Sequence, residues 1–495
     1  MSSERKSRLV TYSGQEVWGR VRRARSPDEI RVHLAEARRR GWTVSFRGGG
    51  MSFDTQALNQ GMVIQLEGFD HVGPVTAGHV TVGTLATWGR IVEATRASGF
   101  LPYVVVSTPR ATAGGTLATN ALSRFSPTCG KEGTHVRSFR LMLLDGTTLT
   151  CSREEHSALF FGVIGGFGYL GVVLEITYHL LPLGFSNVVV ETQFERFSGL
   201  EALAEKLVTE VTGRPPVGDD RAPLEVAPLD TISVEAARAI SAVLYMNAER
   251  QGFVMRSRYV DGDVVSLAPS PFHSPRSFSH RLLQALIMND VIRPVGYELM
   301  MDVFMRSQEK KTAVDDLFGY TFFQDGNDAV KRFFRKLGFP MGIRQQTFVV
   351  PVDADSVDRT RERLTSFLVE ADRVFDDVRL VPVLIDVLYL PKETEGFAFS
   401  ASRGLAGYAI TFTFEELGRS TFPVEERLFA ELALFADGIG GRVHLVKNVH
   451  ASSHVLERSY ADGVSELLAL RETHDPERIL SNGFLARVFP SLARA

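Results

Sequence analysis

The stretch Phe46–Ser52, Phe-Arg-Gly-Gly-Gly-Met-Ser, limits what this chain can fold into more than any other. A short apolar strand holding Val44 and Phe46 runs into three consecutive glycines and then a small hydroxyl residue. Such a run costs chain entropy, which is tolerated where positive φ or a missing Cβ lets successive N–H groups converge on an anion. A diphosphate is the natural occupant, although the triplet alone also fits an ordinary glycine turn. A Rossmann nicotinamide site does not fit: counting from Gly48, the sixth position is Phe53 rather than glycine, and Ser52 to Gly61 lacks helical spacing.

Composition narrows the partners of this loop. With 495 residues, 44% hydrophobic and 23% charged, the chain is long enough for two or three domains, and two well-packed cores are expected. A net charge of −3 gives no electrostatic footprint for nucleic acid, so a small molecule is the expected partner. Cys129 and Cys151 form no metal-ligand pattern and are too few for a disulfide framework, which points to a reducing cytoplasm. Met1 to Val10 has no apolar h-region, and no run reaches the roughly 18 apolar residues of a membrane span, so neither export nor membrane insertion is expected.

Strand and helix alternate around the loop. Ser26 is placed as N-cap of a helix to about Arg40, with Glu29 at the capping-box position. Val63 to Leu66 and His79 to Val82 read as strands, and Leu85 to Ser98 as a helix stopped by Gly99. A second glycine-rich stretch, Ser107 to Asn120, sets Gly114 and Gly115 among small hydroxyl residues, and a third spans Ile164 to Val173. Between them Phe139 to Leu144 and Thr147 to Thr150 flank Asp145-Gly146 as a hairpin. Three glycine loops in one α+β unit suit a long, extended ligand. Beyond Pro182, strands are expected at Ser186 to Phe194, Ile240 to Met246, Gly252 to Tyr259, Gln345 to Pro351, Leu380 to Leu390 and Gly407 to Phe414. Helices are expected at Ser198 to Val211, Ala354 to Glu370 and Val424 to Asp437; Ala268 to Phe278 reads as a lid loop before a helix at Arg281 to Ile292.

The order Arg47-Gly-Gly-Gly-Met-Ser, Thr112-Ala-Gly-Gly-Thr-Leu-Ala, Gly133-Thr-His-Val, Gly165-Gly-Phe-Gly-Tyr-Leu-Gly-Val-Val and Asp475-Pro-Glu-Arg-Ile-Leu-Ser-Asn resembles the FAD-linked oxidases of the vanillyl-alcohol-oxidase type. Within that PCMH-type FAD-binding family it looks nearest to the decaprenylphosphoryl-ribose oxidases. The resemblance implies an α+β fold: a two-part FAD-binding domain and a substrate domain with a central antiparallel sheet flanked by helices. The expected division is 1–184 for FAD, 185–440 for substrate and 441–495 for a segment completing the FAD site. It implies FAD contacts from Arg47, Gly48, Gly49, Gly50, Met51 and Ser52 in the first loop, and from Thr108, Thr112, Ala113, Gly114, Gly115 and Asn120 in the second. Further contacts fall to Gly133, Thr134 and Val136, to Gly171, Val172 and Val173, and to His444 and Asn482 near the end, His444 reading equally as a neutral packed histidine.

The same resemblance carries expectations about chemistry. Many relatives tether the flavin through a histidine where this chain has Met51, so FAD is expected to be non-covalent. Lys447 matches a lysine beside flavin and substrate, and a cation there would stabilise negative charge as the flavin takes a hydride. Gln345 is the retained glutamine of the central sheet. Asp386, in an apolar strand, is either a salt-bridged or solvent-facing carboxylate or a base for a substrate hydroxyl; Arg344 is either exposed or a partner for a substrate carboxylate. Leu122, Phe53, Phe125 and Val387, three of them standing where the ribose oxidases have polar groups, suggest a larger and less polar substrate. The expectation is hydride abstraction from an activated C–H of alcohol or para-hydroxyaryl type. Oxidative decarboxylation to an alkene in natural-product biosynthesis and a flavin-binding protein without turnover remain open beside it.

Overall fold

The computed structural model describes residues 6–106, 108–184, 188–212, 232–261, 309–313, 341–378, 380–417 and 422–493. The expected lid at Ala268 to Phe278 and helix at Arg281 to Ile292 lie outside them. The described strands form three sheets with helices packed between and upon them, an α+β fold.

The first sheet has the order β1-β2-β4-β3, from β1 (Ser7–Val10), β2 (Glu16–Ala24), β3 (Val44–Arg47) and β4 (Met62–Leu66). The helix Pro27–Arg40 crosses from β2 to β3 and buries Ile30, Leu34 and Ala37 against the sheet. Ile30 and Leu34 each contribute about 2 kcal/mol by burial, and the Ala37 methyl less than about 1 kcal/mol. The Ser26 side chain caps the Glu29 N–H at 3.3 Å, but Glu29 reaches back to the Arg25 N–H at 2.6 Å, one residue earlier than a standard capping box.

The second sheet comprises β5 (His79–Gly83), β6 (Phe100–Pro102), β7 (Val136–Met142), β8 (Thr148–Ser152) and β9 (Val172–Pro182). The Asp145-Gly146 hairpin forms as expected between β7 and β8. The second helix is shorter than its apolar spacing suggests: it spans Trp88–Ala97, because the Leu85 N–H is taken by the Phe69 carbonyl and the Ala86 N–H by Gly83.

The third sheet is antiparallel throughout, in the order β13-β10-β12-β11-β15-β16-β14-β17. Its strands are β10 (Val188–Ser198), β11 (Arg238–Leu244), β12 (Gln251–Asp261), β13 (Glu309–Ala313), β14 (Met341–Pro351), β15 (Leu384–Leu390), β16 (Gly407–Leu417) and β17 (Arg442–His444). Helices Leu200–Thr212, Val357–Val378 and Phe422–Gly438 cover one face. There Phe348, Phe412 and Phe414 meet Phe367, Phe375 and Phe429 at ring separations of 5.2–6.3 Å. Side chains alternate across a strand, so Gln345, Thr347, Asp386, Thr411 and Thr413 face the other way, toward the cavity.

The C-terminal motif closes the first sheet from below. Asp475 accepts the N–H groups of Ile479 (2.7 Å) and Leu480 (2.9 Å) and pairs with the fully buried Arg471 at 2.9 Å. Ile479 in turn accepts the Val44 N–H at 2.7 Å, which fixes the strand that feeds the glycine loop.

Candidate active site

A cavity of about 420 Å³ lies between the glycine loops and the face of the third sheet opposite its covering helices. Gly48, Gly49, Gly50, Met51 and Ser52 line it, and among the described residues the N–H groups of Gly49 to Ser52 donate to no protein acceptor. Gly50 holds φ at +69°, where a side chain is strained. At Gly114 a Cβ would sit 1.8 Å from Thr84 Oγ1, so only glycine lets the second loop pack this tightly. Thr108, Thr112, Gly114 and Gly115 line the same space, as do Gly171, Val172 and Val173.

Seven residues expected to touch cofactor lie outside the lining. Arg47 turns its guanidinium to the Val10 carbonyl at 3.0 Å and staples β1 to the loop. Ala113 is fully buried, its N–H bonded to Ala86. Asn120 bridges Glu393 Oε1 (3.0 Å) and the Gly133 N–H (2.9 Å), which also fixes Gly133 behind the wall. The Thr134 carbonyl accepts from Arg153 at 3.2 Å, and Val136 opens β7 with no exposed surface. Asn482 caps the helix Gly483–Val488 and donates to the Gln56 carbonyl at 2.8 Å, a bracket beneath the loop rather than a ligand contact.

The sheet wall carries a polar row set by strand register: Asp386, Thr411, Thr347 and His444 are successive neighbours across β15, β16, β14 and β17, with the apolar Val243 of β11 beyond Asp386. Thr347 and Thr411 share a 2.8 Å hydrogen bond. One step along, Gln345 Nε2 donates to Thr413 at 2.9 Å, while its buried Oε1 has no partner among the described residues. Asn448 exchanges hydrogen bonds with the Gln345 backbone at 2.8 and 2.9 Å, tying β14 to the segment that carries Lys447. Lys447 lines the cavity with Nζ 4.2 Å from the Phe53 ring centroid. Burial, with Lys131 and Lys447 nearby, holds His444 well below the usual histidine range and therefore neutral. Its Nδ1 accepts the Val446 N–H at 3.4 Å, which leaves the proton on Nε2, a buried donor with no protein partner among the described residues.

Asp386 is ion-paired in the wall to Arg124 at 3.1 Å. Sequence reasoning missed Arg124, because a lone arginine after a glycine stretch carries no local signal. It also missed Tyr12, which lines the cavity from the β1–β2 turn and meets Phe53 edge-on at 5.1 Å. Phe53 and Leu122 face the cavity as expected, but Phe125 stacks on Tyr259 at 4.3 Å and Val387 points into the core with no exposed surface. Arg344 is neither exposed nor available to a substrate carboxylate: it is 4% exposed, on the opposite face of β14, and donates to the Ser13 carbonyl at 3.0 Å. Both cysteines are buried, with burial pushing their thiols up to about 12.

Residues 19–152 match the FAD binding domain family. The chain is 28% identical over 196 residues to an uncharacterized oxidoreductase, ORF5 of the fasciation locus, from Rhodococcoides fascians, covering 38% of this chain and 45% of the relative. It is 28% identical over 184 residues to cytokinin dehydrogenase 1 from Arabidopsis thaliana, covering 36% and 32%, and 28% identical over 176 residues to the FAD-linked oxidoreductase pynB from Aspergillus niger, covering 34% and 31%. The chain thus spans less than half the length of these curated relatives. Unpaired amides at the glycine loop, the close-packed Gly114 and the buried unpaired Gln345 Oε1 and His444 Nε2 fit a ligand with a diphosphate and a polar ring system. Among the described residues no helix is long and apolar enough to cross a membrane. From residue 19 to residue 152, then, the chain matches the FAD binding domain family, and the cavity is built around that stretch.

Proposed function

We propose that the protein is an FAD-dependent oxidoreductase that removes a hydride from an activated C–H of a small, fairly apolar substrate. The observation that carries this is the placement of the glycine-loop amides and of Lys447, Gln345 and His444 around one cavity. When bound, FAD supplies the two-electron acceptor. Lys447 contributes a cation where negative charge develops, and neutral His444 and Gln345 offer a donor and an acceptor to the polar ring. The ion pair with Arg124 favours Asp386 as a fixed recognition group over a free base. Oxidative decarboxylation loses its expected anchor, since Arg344 is engaged elsewhere.

FAD is held without a covalent tether, on the ground that Met51 offers no nucleophile at the loop. We divide the chain near residue 184 into FAD and substrate parts, with 441–495 returning to the first, and the two buried free thiols suit the cytoplasm. The purified protein is expected to be yellow, and denaturation should release the flavin into the supernatant. A colourless protein that takes up no added FAD would sink the assignment, and flavin retained on the precipitated chain would sink non-covalent binding.

A further inference from the structure

Arg124 and Asp386 form an ion pair that the cofactor cradle does not use. Arg124 stands in the loop after the second glycine stretch and Asp386 on β15, and their side chains are 10% and 20% exposed. Both line the cavity, among the apolar Leu122, Val243, Leu384 and Leu388. Two charges withdrawn from water into an apolar wall cost desolvation that an aliphatic pair of the same volume would avoid. Joining a loop to a sheet is no reason for charge at this place; recognising a ligand is.

The row across the sheet fixes where the pair stands. Asp386 is three strands from His444, roughly 14 Å at the usual strand spacing, so the pair is at the opposite end of the row from His444. Arg124 bonds Asp386 through Oδ1, and Oδ2 accepts no hydrogen bond among the described residues. We propose that this pair is the specificity site for the substrate, and that it selects a neutral planar head group with an adjacent donor and acceptor, such as a carboxamide or lactam, on an otherwise apolar body. An amide can give its N–H to Asp386 and its C=O to Arg124 without changing the charge of the pair. A carboxylate drawn to Arg124 meets Asp386, and an amidinium drawn to Asp386 meets Arg124, so each ion is repelled by one member.

The inference rests on the reading above only in taking this cavity as the substrate's. Calorimetric titration of the full chain, as purified, with benzamide, benzoate and benzamidine tests it without turnover. Benzamide is expected to bind roughly 10-fold or more tighter than either ion. Asp386→Asn should move the preference to benzoate and Arg124→Gln to benzamidine, each by a similar factor, while the double variant should bind all three about equally. Equal affinities in the wild type, no binding of benzamide, or a ranking that neither substitution alters would overturn the proposal. Circular dichroism checks that each variant is folded, and the wild-type ranking decides alone if one is not. A flat ranking on yellow protein overturns this site, whereas a colourless protein that takes up no added FAD overturns the cofactor assignment instead.

Discussion

Lys447 rests its ammonium against the Phe53 ring, a contact worth about 1 kcal/mol when partly exposed. A lysine retained for the fold would be replaceable by methionine at a cost of about 1 kcal/mol, since the stem is kept and only the ammonium's contacts go. One that stabilises charge on a reduced cofactor would not. Lys447→Met is therefore expected to keep its FAD while the flavin midpoint potential falls by tens of millivolts, read by dye-linked reduction. Turnover of any accepted substrate should drop by roughly 10²-fold. Loss of flavin in place of a shifted potential would assign the residue to cofactor retention.

Among the elements, the C-terminal clamp is the most exposed to single changes. Arg471 and Asp475 are buried together, and breaking such a pair from one side costs about 3–5 kcal/mol because the other charge stays behind. Arg471→Met should lower the unfolding free energy from urea titration by that much and weaken FAD binding, since Val44 depends on Ile479 for its N–H partner. Flavin fluorescence during the same titration tells whether cofactor leaves before the fold melts. This clamp was visible in the sequence as a motif, but its role was not: Asn482 reads as a ligand residue until the fold shows its side chain spent on the Gln56 carbonyl. Local signals were legible where local physics decides, as in the Ser26 cap and the Asp145-Gly146 hairpin. Facing was not. The segment Val383 to Leu390 is apolar on both sides, so nothing in its pattern says that Asp386 looks into the cavity and Val387 into the core. The same holds for Arg344 and Gln345, adjacent on β14 and opposite in role.

For the whole molecule, pH dependence has a buried origin. Burial pushes the Glu132 carboxyl up to about 8, against hydrogen bonds from Tyr178 (2.5 Å) and Thr116 (3.0 Å) that favour the charged form. The fold therefore binds a proton that the unfolded chain releases near the ordinary glutamate value. The resulting stability is complete below about 4.5, declines as pH rises, and is gone above about 8. Glu132→Gln mimics the neutral acid, so the stability of the wild type relative to the variant should fall by roughly 2 kcal/mol or more between pH 5 and 8.5 in urea titrations. Parallel curves would place the charge elsewhere. The clamp described above also orders events in time. Arg38 meets Glu477 across 439 residues, and Val44 waits for Ile479. Contacts between such distant points carry a large loop-closure entropy and form late in folding. On the ribosome the glycine loop is made more than 400 residues before Ile479, yet the strand that feeds it lacks that partner until residue 479 has emerged. A cofactor site braced in this way is expected to fill only after residue 479 has been made, so that the cofactor is a late folding partner rather than the nucleus.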